Sequence, residues 1–229
     1  MITQTYNLII LDRSGSMSII SRQAITGVNE TIRTIRTMAK KTDMRQLVTL
    51  SSFCSCSMID HYLNDDVTNV KPITDKEYQP CCCTPLYDAI GKCCTRLERQ
   101  IGDRNDVAVS VTIITDGYEN DSKEWTGAAV KKLIERLKEK GWLFAYIGAN
   151  QDMEEVRFNM SIDNTLEFDA SPQGTEKMFK QERASRMKWM KSVSCCDTTE
   201  VCRDFSKGYF TQSESEPDDQ YESESDDEF

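Results

Sequence analysis

One histidine, His61, is all that the 229 residues contain. Chemistry that needs two histidines is thereby excluded, and a histidine-based triad would have to use that single residue. Long hydrophobic runs are missing too: no stretch approaches the roughly 18 apolar residues that span a bilayer. The first residues, MITQTYNLIIL, carry only a short apolar run and no basic flank, so neither an export signal nor a membrane anchor is expected. Ten cysteines without an export signal read as mostly reduced thiols of a cytoplasmic protein. A surplus of basic charge is also absent. The formal charge is −10, from 28 basic and 38 acidic residues, and residues 213–229 hold nine of those acids with no Lys or Arg. Without that tail 28 basic residues face 29 acidic ones, a balance that favours neither nucleic acid nor an anionic membrane surface.

What is present is an alternation of apolar runs and amphipathic stretches. Tyr6 to Leu11, Gln46 to Cys56, Asp106 to Thr115 and Trp142 to Ile147 are predicted strands, rich in β-branched residues and bounded by turn signals. Met58 to Leu63 reads as a short partner strand and Thr165 to Phe168 as a last one. Between them Ile20, Ala24, Ile25, Val28, Ile32, Ile35 and Ala39 recur at helical spacing from about Ile19 to Lys40. Leu86, Ile90, Cys93 or Cys94, Leu97 and Ile101 do the same after Pro85, which suits a first helical position. Further helices are expected over 123–140, 153–160 and 172–191, the last anchored by Met178, Phe179, Met187 and Met190.

Central strands that are apolar on both faces and alternate with helices predict a doubly wound, mainly parallel α/β sheet. It should occupy residues 1–191. Residues 192–212 form an extension whose structure the pattern leaves open, and the Ser, Glu and Asp of residues 213–229 cannot bury enough apolar area to fold alone. There is no internal repeat.

Ligands of such sheets bind beyond the carboxyl ends of the strands. Three segments place oxygen-bearing side chains there: Asp12, Ser14 and Ser16 in DRSGS after the first strand, Thr84 in the loop before the Leu86 helix, and Asp116 after the longest strand. Each has a plain structural alternative. Asp12, Ser14 and Ser16 suit a turn, Thr84 an N-cap, and Asp116-Gly117 a common turn dipeptide. Two carboxylates and three hydroxyls together suit a hard cation, Mg²⁺ or Mn²⁺, above Zn²⁺.

LDRSGSM resembles the Asp-x-Ser-x-Ser motif of von Willebrand factor A domains, and CTPLYDAIG and TIITDGYEN supply the threonine and aspartate of that family's metal-ion-dependent adhesion site. The resemblance covers about residues 5–190 and is to small, stand-alone intracellular bacterial members. It implies a Rossmann-like sheet, a non-enzymatic interaction module, and a Mg²⁺ at Asp12, Ser14, Ser16, Thr84 and Asp116 that accepts an acidic side chain from a partner protein. Cys81-Cys82-Cys83 depart from the glycines common in such loops.

Two other readings compete. A Mg²⁺-dependent hydrolase or phosphoryl-transfer enzyme would want a second acid two residues after Asp12, where Ser14 stands instead. A soft-metal or redox protein would draw on Cys54, Cys56, Cys81, Cys82 and Cys83, or on Cys93 and Cys94, although their spacing matches no pair of C-x2-C motifs. The acidic tail reads as a solvated, solubilising segment; a metal site that captures carboxylates would also meet it as a weak internal competitor.

Overall fold

The computed structural model describes residues 1–149, 151–199, 203–204 and 206–211. Three strands are buried along their whole length: β1 (Gln4–Asp12), β4 (Val107–Thr115) and β5 (Leu143–Ala149). They stand inside a six-stranded sheet of order β3-β2-β1-β4-β5-β6, with β2 spanning Arg45–Cys54, β3 Ser57–Asp66 and β6 Asn164–Phe168. Every pairing is parallel except that of β3, which returns against β2 after the turn Ser55-Cys56.

Helices cover both faces, which is why the strands are apolar on both. On one side α1 (Ser21–Thr42) and α5 (Pro172–Val193) pack with Ile9 and Leu11. On the other, α2 (Leu86–Ile101), α3 (Gly127–Glu139) and α4 (Met153–Met160) pack with Leu8 and Ile10. The doubly wound α/β architecture expected from the sequence is the one observed. Cys93 and Cys94 are both buried on α2, so they serve as small apolar residues of that core.

Local differences have physical causes. A 3-10 helix, Gly15–Ile20, takes up the start of the predicted first helix, and α1 begins only at Ser21. β3 is longer than its predicted Met58 to Leu63, because an edge strand facing solvent carries the polar run SMIDHYLNDD rather than an apolar one. Cys56, assigned from the sequence to the second strand, lies in the turn after it.

The described residues beyond α5 rejoin the body. Cys196, Tyr209 and Phe210 are buried in the α1–α5 layer, the amide of Ile2 donates to the Cys196 carbonyl at 3.0 Å, and that of Thr199 donates to Asn105 at 3.2 Å. Cys202 and the acidic residues 213–229 lie outside the described residues. Among the described residues no helix is long and apolar enough to cross a membrane.

Candidate metal centre

β1 is the strand from which the chain departs through α1 to β2 on one side and to which it returns through α2 with β4 on the other. The carboxyl ends of β1 and β4 therefore diverge into loops that leave in opposite directions, forming a cleft at the topological switch point. Asp12 is the last residue of β1, and because Leu11 pairs with Ile114, Thr115 comes to lie beside it.

The Asp12 carboxylate is fully buried. One oxygen accepts the Ser14 amide at 2.7 Å and the other the Thr115 hydroxyl at 2.6 Å. Ser14 and Ser16 hold their hydroxyl oxygens 3.2 Å apart, and Ser16 donates to Asp116 Oδ1 at 2.7 Å. Thr84 reaches the same place from the third loop: a β-carbon added to Gly117 would stand 3.4 Å from its Oγ1 and 3.9 Å from Ser16 Oγ. Glycine thus leaves open the space between those two hydroxyls. All five residues singled out in the sequence gather at this edge.

The plain alternatives fare unevenly. Asp12 does form the turn bond to Ser14 expected of an Asp-x-Ser sequence. Thr84, however, does not cap α2, whose N-cap is Pro85 with no side-chain bond. The Leu86 amide goes to the Thr84 carbonyl at 3.0 Å, and the next two amides of α2 are met from the loop after β4, that of Tyr87 by Glu119 and that of Asp88 by Ser122. Ser14 precedes the 3-10 helix and makes no side-chain cap either.

A supporting set escaped the sequence reading. Asn120 clips Thr84 on both sides, accepting its amide at 2.8 Å and donating its own amide to the Thr84 carbonyl at 3.1 Å. Tyr78, fully buried, donates to the Asp12 carbonyl at 2.5 Å. Gln151 donates to the Gly117 carbonyl at 2.7 Å and accepts from Tyr146 at 2.7 Å. Only Thr115 had a signal, as the neighbour of Asp116; the others act through contacts between distant loops.

Electrostatically the centre is incomplete on its own. Burial pushes Asp12 up to about 6, against the pull of the Thr115 and Ser14 hydrogen bonds, and the nearby Asp116 charge adds to the rise. Burial raises Asp116 as well, opposed by Ser16. Among the described residues no Lys or Arg pairs with either carboxylate. Arg13, adjacent in sequence, turns away and donates to the Gln79 carbonyl at 3.0 Å and to Ser57 Oγ at 2.8 Å. Two carboxylates and three hydroxyls, gathered without a counter-charge, are a donor set that fits a hard divalent cation. His61 takes no part, its Nε2 lying 2.8 Å from Ser52 Oγ.

No protein-family model matches the sequence, and no curated protein matches it. Solved structures do. Proximal thread matrix protein 1 from the mussel byssus superposes with a TM-score of 0.57 at 15% identity, covering 84% of this chain and 47% of that one. Manganese-loaded Plasmodium vivax TRAP protein gives 0.53 at 15% identity, with 77% of this chain and 72% of that one covered. The pilus adhesin SpaC from Lactobacillus rhamnosus GG gives 0.56 at 12% identity, covering 84% and 31%. These are proteins with von Willebrand factor A domains. The chain has a von Willebrand factor A fold. It spans about half the length of the mussel protein. In this von Willebrand factor A fold the carboxyl edge of β1 and β4 carries the oxygen cluster described above.

Proposed function

We propose that the chain is a protein-interaction module that works through a divalent cation, Mg²⁺ with Mn²⁺ as a substitute, held by Asp12, Ser14, Ser16, Thr84 and Asp116. The observation that carries this reading is the buried Asp12 and half-buried Asp116 carboxylates, gathered with the hydroxyls of Ser14, Ser16 and Thr84 and, among the described residues, with no basic side chain to balance them. Among the structural neighbours, one is a manganese-loaded protein and another form of the mussel protein has a zinc-occupied MIDAS motif, which supports a divalent metal in this fold.

The cation supplies a positive centre that hydroxyl ligands leave only partly compensated, so that it attracts an acidic side chain of a partner protein. This chain's own residues do the positioning. Thr115 and the Ser14 amide hold Asp12 in one orientation, and Asn120 holds the Thr84 backbone. Two exposed apolar side chains follow ligand residues in sequence, Ile19 after Ser16 and Tyr118 after Asp116; we assign them to the partner-facing rim. A catalytic role is not part of this reading. Neither Ser14 nor Ser16 has a histidine at hydrogen-bond distance, the only one being bonded to Ser52.

Calorimetric titration of the full chain with Mg²⁺ and with Mn²⁺ should give saturable binding that Asp12→Ala abolishes; indistinguishable heats for the two proteins would remove the metal from the account. Affinity capture in Mg²⁺ or in EDTA, with Thr84→Ala alongside, then tests the interaction. The expected partner is retained only by the native protein in Mg²⁺, and retention in EDTA would refute metal-mediated recognition.

A further inference from the structure

Three sulfurs converge behind the loop that carries Thr84. Cys54 ends β2, Cys56 lies in the turn to β3, and Cys81 begins the Cys81-Cys82-Cys83 run. Their Sγ atoms all lie within 4.8 Å of one another, with Cys54 and Cys81 3.1 Å apart. Cys82 adds a fourth sulfur 2.7 Å from that of Cys56. No two of these pairings follow from a short sequence motif. The hairpin and the loop are laced together by backbone bonds, Ser55 to the Cys83 carbonyl at 3.1 Å, Cys81 to the Arg13 carbonyl at 2.9 Å and Gly15 to the Cys82 carbonyl at 3.0 Å.

We propose that Cys54, Cys56 and Cys81, with Cys82 as the fourth ligand, form a thiolate site for a thiophilic divalent cation of the zinc class, separate from the oxygen cluster. Zinc–thiolate bonds of ~2.3 Å place the sulfurs of a tetrahedral site roughly 3.8 Å apart, inside the span the three sulfurs already define. Charge supports the assignment. Four thiolates leave a divalent ion with two excess negative charges, and the Arg13 guanidinium stands 3.5 Å from Cys81 Sγ to offset one of them. Accessibility does as well: Cys56, Cys82 and Cys83 are exposed while Cys54 is buried, so the ion can enter from solvent and be held from beneath. Two disulfides, Cys54–Cys81 and Cys56–Cys82, would use the same four sulfurs, but all four are free thiols in this structure, and only in that reduced state do they offer ligands to an ion. Binding displaces the thiol protons as the ion enters, so protons leave to solvent and no oxidant or reductant takes part.

The inference stands independently of the Mg²⁺ reading, and one set of measurements separates them. The full chain, reduced and freed of metal, is titrated with Co²⁺ and then with Zn²⁺. Because zinc also enters oxygen sites, the diagnostic signal is the thiolate-to-cobalt charge-transfer band, expected at one equivalent and erased by one equivalent of Zn²⁺. Cys56→Ser/Cys81→Ser, which spares the buried Cys54, should lose the band while keeping the native circular dichroism. Cys93→Ser, within the α2 core, and Asp12→Ala should keep it. No band in the reduced native chain overturns the site, as does a full band in Cys56→Ser/Cys81→Ser. A band lost in Asp12→Ala overturns its separateness from the oxygen cluster.

Discussion

Two charged clusters occupy this sheet, one closed in the interior and one open at the carboxyl edge, and they are completed in opposite ways. Between α5 and the central strands, Arg186 and Glu182 are both fully buried and pair at 2.7 Å. Every nitrogen of the guanidinium is bonded: Nε to Glu182, one terminal nitrogen to Asn7 at 2.9 Å and Ser110 at 3.2 Å, and the other to Thr112 at 2.8 Å. Thr31 and Tyr209 donate to the carboxylate from two further elements. Burial alone would lower the Arg186 pKa, but the adjacent carboxylate more than reverses this and keeps it charged. Asp12 is also buried and Asp116 half-buried, yet theirs is a cluster of acceptors and hydroxyls with no cation from the described residues. A closed network fixes packing; an open one is left to be finished by something that binds.

That contrast can be broken most severely at Arg186. Arg186→Met should cost about 3–5 kcal/mol in urea unfolding, because it strands Glu182 without its partner in the interior. Arg186→Met/Glu182→Leu should recover much of the loss, since it removes both charges together. The open cluster should behave in reverse. Mg²⁺ at a hundredfold its dissociation constant should stabilise the native chain by about 2.7 kcal/mol, whereas Asp12→Asn should gain nothing from Mg²⁺ while losing little stability in EDTA. Thr115→Val, which deletes the hydroxyl bonded to Asp12, should cost about 1–3 kcal/mol in EDTA, and part of that should return when Mg²⁺ is added. The smallest effect belongs to a third kind of charge, at the surface. Glu98 accepts from Arg136 and, at 2.8 Å, from Lys140, and these bonds hold its carboxyl down to about 2 against the opposing effect of burial. Its contribution is complete above the unfolded value near 4.5 and fades as pH falls toward 2. Both basic partners are about half exposed, so Glu98→Gln should remove about 1 kcal/mol or less at pH 7. The acid limb of its stability profile should flatten accordingly.

The same contrast separates what was legible in the sequence from what was not. β1, β4 and β5 were readable because strands covered on both faces must be apolar throughout, and α4 was placed over the residues it occupies, Met153–Met160. DRSGS, Thr84 and Asp116 stood out because each follows or precedes a strongly patterned element. Arg186 and Glu182 did not: at a spacing of four on a helix, opposite charges look like a solvated pair, and only the polar Asn7, Ser110 and Thr112 inside otherwise apolar strands hinted at what they meet. Asn120, Tyr78 and Gln151 are silent for a similar reason, since each acts across 34 or more residues of chain. The cysteines were visible one by one, but Cys56 was assigned to a strand when it lies in a turn, and its meeting with Cys81 depends on how the hairpin packs against the loop.

The anchoring of both ends of the described chain has a practical side. Ile2 is bonded to Cys196, Thr3 to Asp106 and Tyr209 to Asn164, all at the amino ends of the parallel strands. The oxygen cluster sits at the other end, a nine-residue strand away, or ~30 Å at the rise of a parallel strand. A tag, a fusion partner or a sensor surface joined near residue 1 or residue 211 would stand behind the molecule and hold the cluster outward. For the acidic residues that follow, the same geometry sets a climb: about half of the ~60 Å that seventeen extended residues can reach is consumed before the first carboxylate arrives at the cluster.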